Sequence, residues 1–338
     1  MHKTNMNEII FMDNVIKKYK VHEKCNQENG VHHFFSQKEY EIFAVNQMNL
    51  NLEEGKILGY IGANGAGKST TIKMLTGILV PTSGTIKVLG RDPYLNRRKN
   101  AEKIGIVFGQ RSQLIWELPA IDTFRLNCCI YNIEKKESEE RIKYFSDQMQ
   151  ITDIISRPVR KMSLGQRMCC EIVASLLHHP KILFMDEPTI GLDILNKERI
   201  RKLILQMNKE FNTTVFLTTH DLADVEYLCD DILIINKGKK VFGGSLHSLK
   251  DEYDIYHTIT IIYDGEVDNI KENWYGLKCH HMKEERKIHI EFRHSEIAVT
   301  DIMRILAEDN IKIRDLSVHE SSLEDIVKEL YLDKQIKE

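Results

Sequence analysis

The chain has 338 residues, of which 42% are hydrophobic and 29% are charged, and its formal net charge is -3. This composition excludes disordered and fibrous proteins, and the length predicts about two domains. The small negative charge disfavours a nucleic-acid partner, because such proteins usually depend on excess positive charge.

No segment approaches the roughly 18 to 20 consecutive apolar residues of a membrane-spanning helix, and the first residues lack the apolar core of a signal peptide. The seven cysteines are an odd number and form no C-x-x-C motif. Reduced thiols in the cytoplasm are therefore expected. Any work at a membrane would then require a partner protein.

Two strand-like segments near the N-terminus, residues 8–12 and 44–52, are predicted to join residues 85–90 in a small antiparallel β layer. Residues 20–42 between the first two break the periodicity and are predicted to form an inserted loop. Four residues of metal-ligating type occur in this insert, namely His22, Cys25, His32 and His33. Their irregular spacing favours a solvated loop over a metal site.

Five apolar runs alternate with helical stretches through the middle of the chain, at residues 57–61, 104–108, 182–185, 215–218 and 231–235. Continuous apolar strands that alternate with helices predict an α/β fold with a parallel sheet covered on both faces. Residues from about 112 to 160 carry many charges at helical spacing and predict a helical insert.

The first of these strands leads into "GANGAGKS" at residues 62–69, which matches G-x-x-x-x-G-K-[ST]. Glycines allow backbone N–H groups to surround phosphate oxygens, and a helix that starts near Lys68 directs its positive end at the same anion. Lys68 would bridge the β- and γ-phosphates of a nucleotide, and Ser69 would ligate Mg²⁺. The strand before the turn and the helical pattern after it argue against a chance glycine-rich turn.

Two adjacent acids end another apolar run, in "ILFMDEP" at residues 182–188. Buried strands avoid adjacent carboxylates, because each costs several kcal/mol unless it is paired or bound to metal. Asp186 fits a ligand of Mg²⁺ and Glu187 fits a general base for an attacking water. Such pairs are common at strand ends, so the assignment depends on the phosphate loop upstream.

A second anion site is indicated by "KMSLGQRM" at residues 161–168, where Ser163 has the position of an N-cap. An ordinary capped helix is the alternative. Two phosphate-binding elements in one chain are best explained if a second copy faces the first, with each nucleotide between them.

Taken in order, these motifs resemble those of the ATP-hydrolysing subunits of ATP-binding cassette (ABC) transporters, over residues 8–244. The resemblance includes "IVFGQRS" with Gln110, "TIGLD" ending in Asp193 and "FLTTHD" with His220. It implies a P-loop NTPase core in residues 1–244, with ATP and Mg²⁺ as its ligands.

The resemblance also implies roles for single residues. Gln110 would contact Mg²⁺ and the attacking water, Asp193 would couple the two opposed sites, and His220 would contact the γ-phosphate. The catalytic set is then Lys68, Glu187 and His220, and the metal-binding set is Ser69, Gln110 and Asp186. Nucleotide contacts are expected from Tyr19, Gly62, Asn64, Gly65, Gly67, Lys68, Ser69, Thr70, Gln110, Ser163, Gly165, Gln166 and Asp193.

Two positions qualify this assignment. Phe43 is an alternative to Tyr19 as the aromatic side chain that stacks on adenine. Leu164 stands where the family usually has glycine, which bears on local packing more than on the role of Ser163.

The family resemblance implies a homodimer, or a pair with a similar ATPase, that drives integral membrane subunits from the inner face of the cell membrane. The residues of the motifs are most similar to those of exporter ATPases, including drug and viologen exporters. One alternative is an ABC-type ATPase that acts on ribosomes or chromosomes, which would usually carry a second cassette or a long coiled coil. Another is a small-molecule kinase, which shares only the phosphate loop.

Residues 245–338 are predicted to form a smaller α+β domain. The runs "YHTITIIY" and "KIHIEF" alternate as strands do, whereas "AVTDIMRILAED" and "SSLEDIVKELY" are helical. The sequence Cys279-His280-His281 is expected in a loop without a metal role. A role in dimer contact or regulation is the hypothesis for this domain.

Overall fold

Buried apolar strands and the helices between them give the chain two units, Met1–Gly244 and Ser245–Glu338. The structure is a computed structural model. It describes residues 7–24, 37–109, 112–252, 257–265, 267, 273–293, 296–309, 311–320 and 322–335.

Strands and helices alternate along most of the first unit. Its strands are β1 Glu8–Lys24, β2 Gln37–Glu53, β3 Ile57–Gly62, β4 Ser83–Val88, β5 Ile104–Phe108, β6 Ile182–Asp186, β7 Thr214–Thr219, β8 Asp231–Asn236 and β9 Lys239–Ser245. Its helices are α1 Lys68–Leu75, α2 Arg97–Ala101, α3 Ala120–Ile130, α4 Lys135–Gln148, α5 Leu164–Leu176, α6 Ile194–Phe211 and α7 Leu222–Leu228.

A six-stranded sheet of order β5-β6-β7-β3-β8-β9 forms the centre of the first unit. The pairs from β5 through to β8 are parallel, so the predicted parallel sheet is confirmed. Every residue of β3 and β7 is buried, which explains why these strands are continuously apolar in sequence. Parallel pairing brings the carboxyl ends of β5, β6, β7 and β3 to one edge of the sheet.

The predicted antiparallel layer is confirmed as a three-stranded sheet of order β2-β1-β4. The predicted loop at residues 20–42 is wrong at both of its ends, because β1 continues to Lys24 and β2 begins at Gln37. Opposite charges face each other on this ladder at Lys20 and Glu41, which are Cα partners. Cross-strand pairing of this kind stabilises polar strands.

The candidate metal ligands of the insert do not form a described cluster. His22 belongs to β1, where its Cα partner is Glu39. Cys25, His32 and His33 lie outside the described residues. Within the described parts of the chain, no group of three or more His, Cys, Asp and Glu residues is placed to hold a metal ion.

The helical insert predicted from about residue 112 to 160 is confirmed as α3, α4 and a short 3-10 turn at Val159–Lys161. Arg125 and Glu139 form an exposed ion pair on its surface at an N–O distance of 2.9 Å, and such pairs contribute little to stability. Arg141 is only 19% exposed, and it contacts Glu137 at 2.5 Å and donates to the Leu177 carbonyl oxygen at 2.6 Å. The insert ends directly before α5.

The second unit contains a five-stranded antiparallel sheet of order β11-β12-β13-β10-β14. Its elements are α8 Leu246–Glu252, β10 His257–Asp264, β11 Asn273–Trp274, β12 Leu277–Met282, β13 Lys287–Phe292, α9 Val299–Glu308, β14 Lys312–Glu320 and α10 Leu323–Gln335. The predicted strands and helices of this α+β unit are confirmed. Among the described residues of the chain, no helix has the length and apolar content to cross a membrane.

The expectation of a loop at Cys279-His280-His281 is wrong, because these residues form part of β12. Its side chains alternate between the two faces of the sheet: Cys279 is buried and His280 is exposed. His280 and His289 are direct cross-strand partners on β12 and β13. The alternation is obscured in the sequence because histidine occupies a solvent-facing position beside a buried cysteine.

Phe216 of β7 is expected to be critical for packing on the central sheet. Its ring centroid lies 5.2 Å from that of Tyr60 and 5.7 Å from that of Phe184, and its side chain is fully buried. We expect Phe216→Ala to lower the free energy of unfolding by about 3–5 kcal/mol, because it leaves a cavity between three strands. Urea unfolding followed by far-UV circular dichroism measures the effect.

The control for this prediction is Phe211→Ala in α6, where the ring is 40% exposed. This change is expected to cost about 1 kcal/mol or less. Equal losses in the two variants would show that the three rings do not form the packing centre inferred here.

Candidate active site

The turn between β3 and α1 is built around glycines with left-handed backbone angles. Gly65 has φ of 81° and Gly67 has φ of 109°, a region that side chains other than glycine rarely adopt. A Cβ atom at Gly67 would also lie only 2.2 Å from the carbonyl oxygen of Ala44. The chain therefore turns sharply into α1, whose first N–H groups have no partner within the helix.

Lys68, the first residue of α1, is a buried cation with only 6% of its side chain exposed. Its Nζ donates to the carbonyl oxygens of Gly62 and Ala63 at 2.7 and 3.4 Å. It also lies 3.1 Å from Oε1 of Glu187. These oxygens compensate the buried charge and hold the ammonium group beside the turn.

Asp186 and Glu187 lie at the carboxyl end of β6, which is between β5 and β7 in the sheet, and β3 ends at the same edge. The hydroxyl of Thr218 on β7 donates to Oδ1 of Asp186 at 2.6 Å. Register explains this contact, because Asp186 and Thr218 are Cα partners. One carboxylate oxygen is thereby fixed, and the other is directed away from the hydroxyl.

Glu187 adopts φ of 53°, which is uncommon for a residue with a side chain. Its N–H donates to the carbonyl oxygen of Thr218 at 3.0 Å, which holds this backbone conformation. The carboxylate then lies between two basic groups, with Lys68 at Oε1 and Nδ1 of His220 3.4 Å from Oε2. Strain of this kind is concentrated at functional sites.

A cavity of about 470 Å³ lies over this turn and has a size suited to a nucleotide. Eight predicted site residues line it: Asn64, Gly65, Gly67, Lys68, Ser69, Thr70, Asp186 and Glu187. Six further lining residues were not predicted: Ala44, Lys73, Ile78, Phe108, Gly109 and Ile190. Lys73 follows Ser69 by one helical turn, so its position could have been inferred from the spacing.

The oxygen atoms at this cavity fit a Mg²⁺ ion. Mg²⁺ prefers oxygen ligands, and Asp186 and Ser69 place a carboxylate and a hydroxyl on the cavity wall. Gln110, the third predicted metal-binding residue, lies outside the described residues. Its neighbour Gly109 lines the cavity, and the Gly109 N–H donates to the Asp186 carbonyl at 3.0 Å.

The two candidate adenine-stacking residues lie on opposite faces of the β1–β2 ladder. Phe43 is the Cα partner of Lys18, whereas Tyr19 is the partner of Ile42. Direct partners share a face and successive residues alternate, so the two aromatic rings point to different sides. Both rings are exposed, at 40% for Tyr19 and 39% for Phe43, and neither lines the cavity.

Ser163 caps α5, as predicted. Its Oγ accepts from the Gln166 N–H at 3.2 Å, and Oε1 of Gln166 accepts from the Ser163 N–H at 3.0 Å. The pair forms a capping box. None of Ser163, Gly165 and Gln166 lines the cavity above Lys68.

Asp193 joins the start of α5 through a residue that the sequence analysis missed, Asn196. The Asp193 carboxylate accepts from the Asn196 backbone and side chain at 2.9 and 2.6 Å, and these bonds lower the pKa of Asp193. A Cβ at Gly165 would lie 2.4 Å from Nδ2 of Asn196, so a larger residue there would displace the Asn196 side chain. The spacing D-x-x-N after "TIGL" was the available signal for this cap.

Comparison with known proteins supports the motif assignment. The family model for the ABC transporter matches residues 45–190. The chain is 33% identical over 215 residues to the ABC transporter ATP-binding protein NatA of Bacillus subtilis (strain 168), covering 64% of this chain and 87% of that protein. The chain belongs to the ATP-binding proteins of ABC transporters.

A second relative extends the match beyond the cassette. The bacitracin transport ATP-binding protein BcrA of Bacillus licheniformis is 29% identical over 283 residues, covering 83% of this chain and 90% of that protein. Since the first unit ends at Gly244, a match of this length reaches into the second unit.

Among solved structures, the ATP-binding cassette MJ0796 superposes with a TM-score of 0.58 and 25% identity, covering 70% of this chain and 98% of that one. It is described as the dimeric structure of a post-hydrolysis state bound to ADP and Pi. The chain is accordingly an ATP-binding cassette and an ATPase, with a P-loop NTPase fold.

Gly67→Ala is predicted to damage the cassette at the phosphate turn. The new Cβ would collide with the Ala44 carbonyl in a backbone conformation that alanine rarely adopts. We expect at least about tenfold weaker binding of a fluorescent ATP analogue. Titration by fluorescence anisotropy tests this expectation.

Gly90→Ala is the matched control, because Gly90 also has a left-handed φ, of 73°, but has no heavy atom within 4 Å of its Cβ position. This control should bind the analogue as the unaltered chain does. Unchanged affinity in Gly67→Ala would mean that the close approach to Ala44 does not shape the phosphate turn.

Proposed function

We propose that this cassette powers transport through separate integral membrane subunits, by closing with a second copy or a similar ATPase around ATP. The observation that carries the proposal is the separation of its two anion-binding elements. Lys68 and the glycine turn line the cavity, whereas the capped start of α5 does not. A second cassette facing the first would bring that helix end to the cavity.

Charge supplies the driving force for closure. ATP brings several negative charges, which Lys68 and the first N–H groups of α1 neutralise on one side. On the other side, Ser163 and the start of α5 of the facing copy provide a second positive end. Asp193, held by Asn196 beside Gly165, would sense whether the facing copy is in place.

The carboxylate of Glu187 is proposed as the general base. This carboxylate lies between Lys68 and His220 at the edge of the cavity, where it can accept a proton from a water placed for attack. The phosphates compete with Glu187 for the Lys68 ammonium, so substrate binding would free Oε1 for the attacking water. His220 would then contact the γ-phosphate from the end of β7.

Ser69 and Asp186 are proposed to hold Mg²⁺, together with Gln110. The ion would neutralise charge that develops on the phosphates. Thr218 orients the Asp186 carboxylate through its 2.6 Å hydrogen bond and therefore supports this set. For adenine, Tyr19 is the proposed stacking residue, with Phe43 the alternative on the opposite face of the ladder.

Export is the proposed direction of transport, at the inner face of the cell membrane. The support is the similarity to BcrA, which is named for bacitracin transport, and the similarity of the motif residues to those of exporter ATPases. A pull-down of tagged Glu187→Gln chain from detergent-solubilised native cells with ATP and Mg²⁺ tests the proposal. Recovery of multi-span membrane proteins supports it, whereas recovery of ribosomes or DNA-bound complexes contradicts it.

Glu187→Gln is predicted to slow steady-state ATP hydrolysis by at least about 10²-fold while ATP binding is retained. Glutamine keeps the size and one oxygen acceptor of glutamate but cannot accept the proton. Phosphate release and analogue binding measure the two properties. Glu198→Gln, an exposed carboxylate of α6 that pairs with Lys202, is the control.

Normal turnover in the Glu187→Gln variant would remove this residue from the role of base. Loss of ATP binding together with turnover would instead assign Glu187 to holding Lys68 in place.

The second unit is proposed to contribute to dimer contact or regulation. Deletion of residues 250–338 is predicted to change at least one of three measurable properties: ATP-dependent dimerisation, ATPase rate or transport. Light scattering with ATP in the Glu187→Gln background measures the first. If all three properties stay unchanged, the unit has neither role.

A further inference from the structure

Glu171 is a buried carboxylate in α5 that the catalytic assignment does not use. Only 4% of this residue is exposed. It follows Ser163 by eight positions, or about 12 Å along the helix axis. Buried carboxylates are rare unless they have partners.

The partners of Glu171 come from one short segment, residues 112–114, between β5 and the helical insert. Ser112 donates its hydroxyl to Oε1 in a short hydrogen bond, and the Gln113 N–H donates to Oε2 at 3.1 Å. The Gln113 side chain returns a bond to the Glu171 carbonyl oxygen, at 2.9 Å. Three hydrogen bonds therefore connect α5 to this segment.

Burial opposes ionisation here. Desolvation raises the pKa of Glu171, and the bonds from Ser112 and Gln113 partly counteract it. An apolar residue at this position would avoid the desolvation cost. A carboxylate at this position instead forms directional hydrogen bonds, and these bonds fix residues 112–114 against the helix.

The clamped segment lies close in sequence to the cavity. Phe108 and Gly109 line the cavity, and the segment begins at Ser112, three residues after Gly109. Gly109 is bonded to the backbone of Asp186, so this end of the connection is also fixed.

The residues that follow this segment contact the beginning of α5 and the turn before it. The guanidinium of Arg167 lies 5.4 Å from the centroid of the Trp116 ring. The Arg160 N–H donates to the Trp116 carbonyl, and the Val159 N–H to that of Leu118, both at 3.0 Å. Residues 112–118, which we call the strap, are thus attached to α5 and to the turn that precedes it.

We propose that Glu171 is a positioning residue that makes the strap and α5 move together, so that changes at the chain's own nucleotide cavity reorient the Ser163 end of α5. The inference rests on the proposed function, in which that end serves the nucleotide of the facing copy. It identifies a mechanical link by which one ATP site influences the other. Glu171 touches neither nucleotide in this arrangement.

The test compares Glu171→Ala, Glu171→Gln and Ser112→Ala in the full-length chain. Binding of a fluorescent ATP analogue reports the chain's own site, and steady-state hydrolysis gives kcat, KM and the Hill coefficient for ATP. Light scattering with ATP in the Glu187→Gln background reports pairing. Thermal unfolding shows whether each variant is folded.

Glu171→Ala is expected to keep analogue affinity within about twofold. Its kcat should fall by at least about tenfold, the loss expected for charge-assisted hydrogen bonds, and its Hill coefficient should fall towards that of independent sites. Glu171→Gln should retain most of the activity, because its amide can bond both Ser112 and Gln113. Ser112→Ala should have a smaller effect, and adding it to Glu171→Ala should cost little more.

Turnover and Hill coefficient of Glu171→Ala within about twofold of the unaltered chain would overturn the inference. Equal losses in Glu171→Gln and Glu171→Ala would also overturn it, because they would show that the charge matters and the connection does not. If Glu171→Ala does not fold, Ser112→Ala decides. A lower Hill coefficient with unchanged binding supports the link, and an unchanged coefficient refutes it.

The proposed function fails in a different way. If the unaltered chain does not hydrolyse ATP cooperatively, and the Glu187→Gln chain does not pair with ATP, the paired arrangement itself is wrong.

The Glu198→Ala variant, which removes an exposed carboxylate from α6, serves as the matched control for loss of a glutamate.

Discussion

The buried ammonium group of Lys68 is the constraint on which the first unit depends. A cation that is 6% exposed is tolerated only because carbonyl oxygens of the turn and a carboxylate from another strand reach it. The turn must follow β3, and the carboxylate must follow β6. The parallel sheet meets both requirements, since the carboxyl ends of its strands share one edge. Fold and site are therefore consequences of the same register.

The local signals in the sequence were sufficient for this edge of the sheet. The run before the phosphate turn, the acids after the third apolar run and the serine cap of α5 each have a pattern that depends on near neighbours. The contacts between elements could not be predicted. Asn196 against Gly165, and Thr218 on Asp186, depend on the register of elements that are distant in sequence.

The errors at residues 20–24 and 279–281 have the same origin. Both segments are strands whose apolar alternation is weak in the sequence, because charged residues and histidines stand among their apolar residues. Each segment is paired across its ladder, with Lys20 opposite Glu41 and His280 opposite His289. A periodicity count along one strand contains no information about its partner. Weakly patterned strands are therefore the part of this fold that sequence reasoning is least able to detect.

The capping box at Ser163 allows one hydroxyl to serve two partners without conflict. Its oxygen accepts the Gln166 N–H through a lone pair, and the hydroxyl hydrogen is not used by that bond. Helix capping and the proposed contact with a phosphate would thus use different parts of the same group. An aspartate would cap α5 as well as serine does, yet it would present a negative charge and no proton to an approaching phosphate. Threonine would preserve both properties, so the chemistry of this position is stricter than its structural role alone requires.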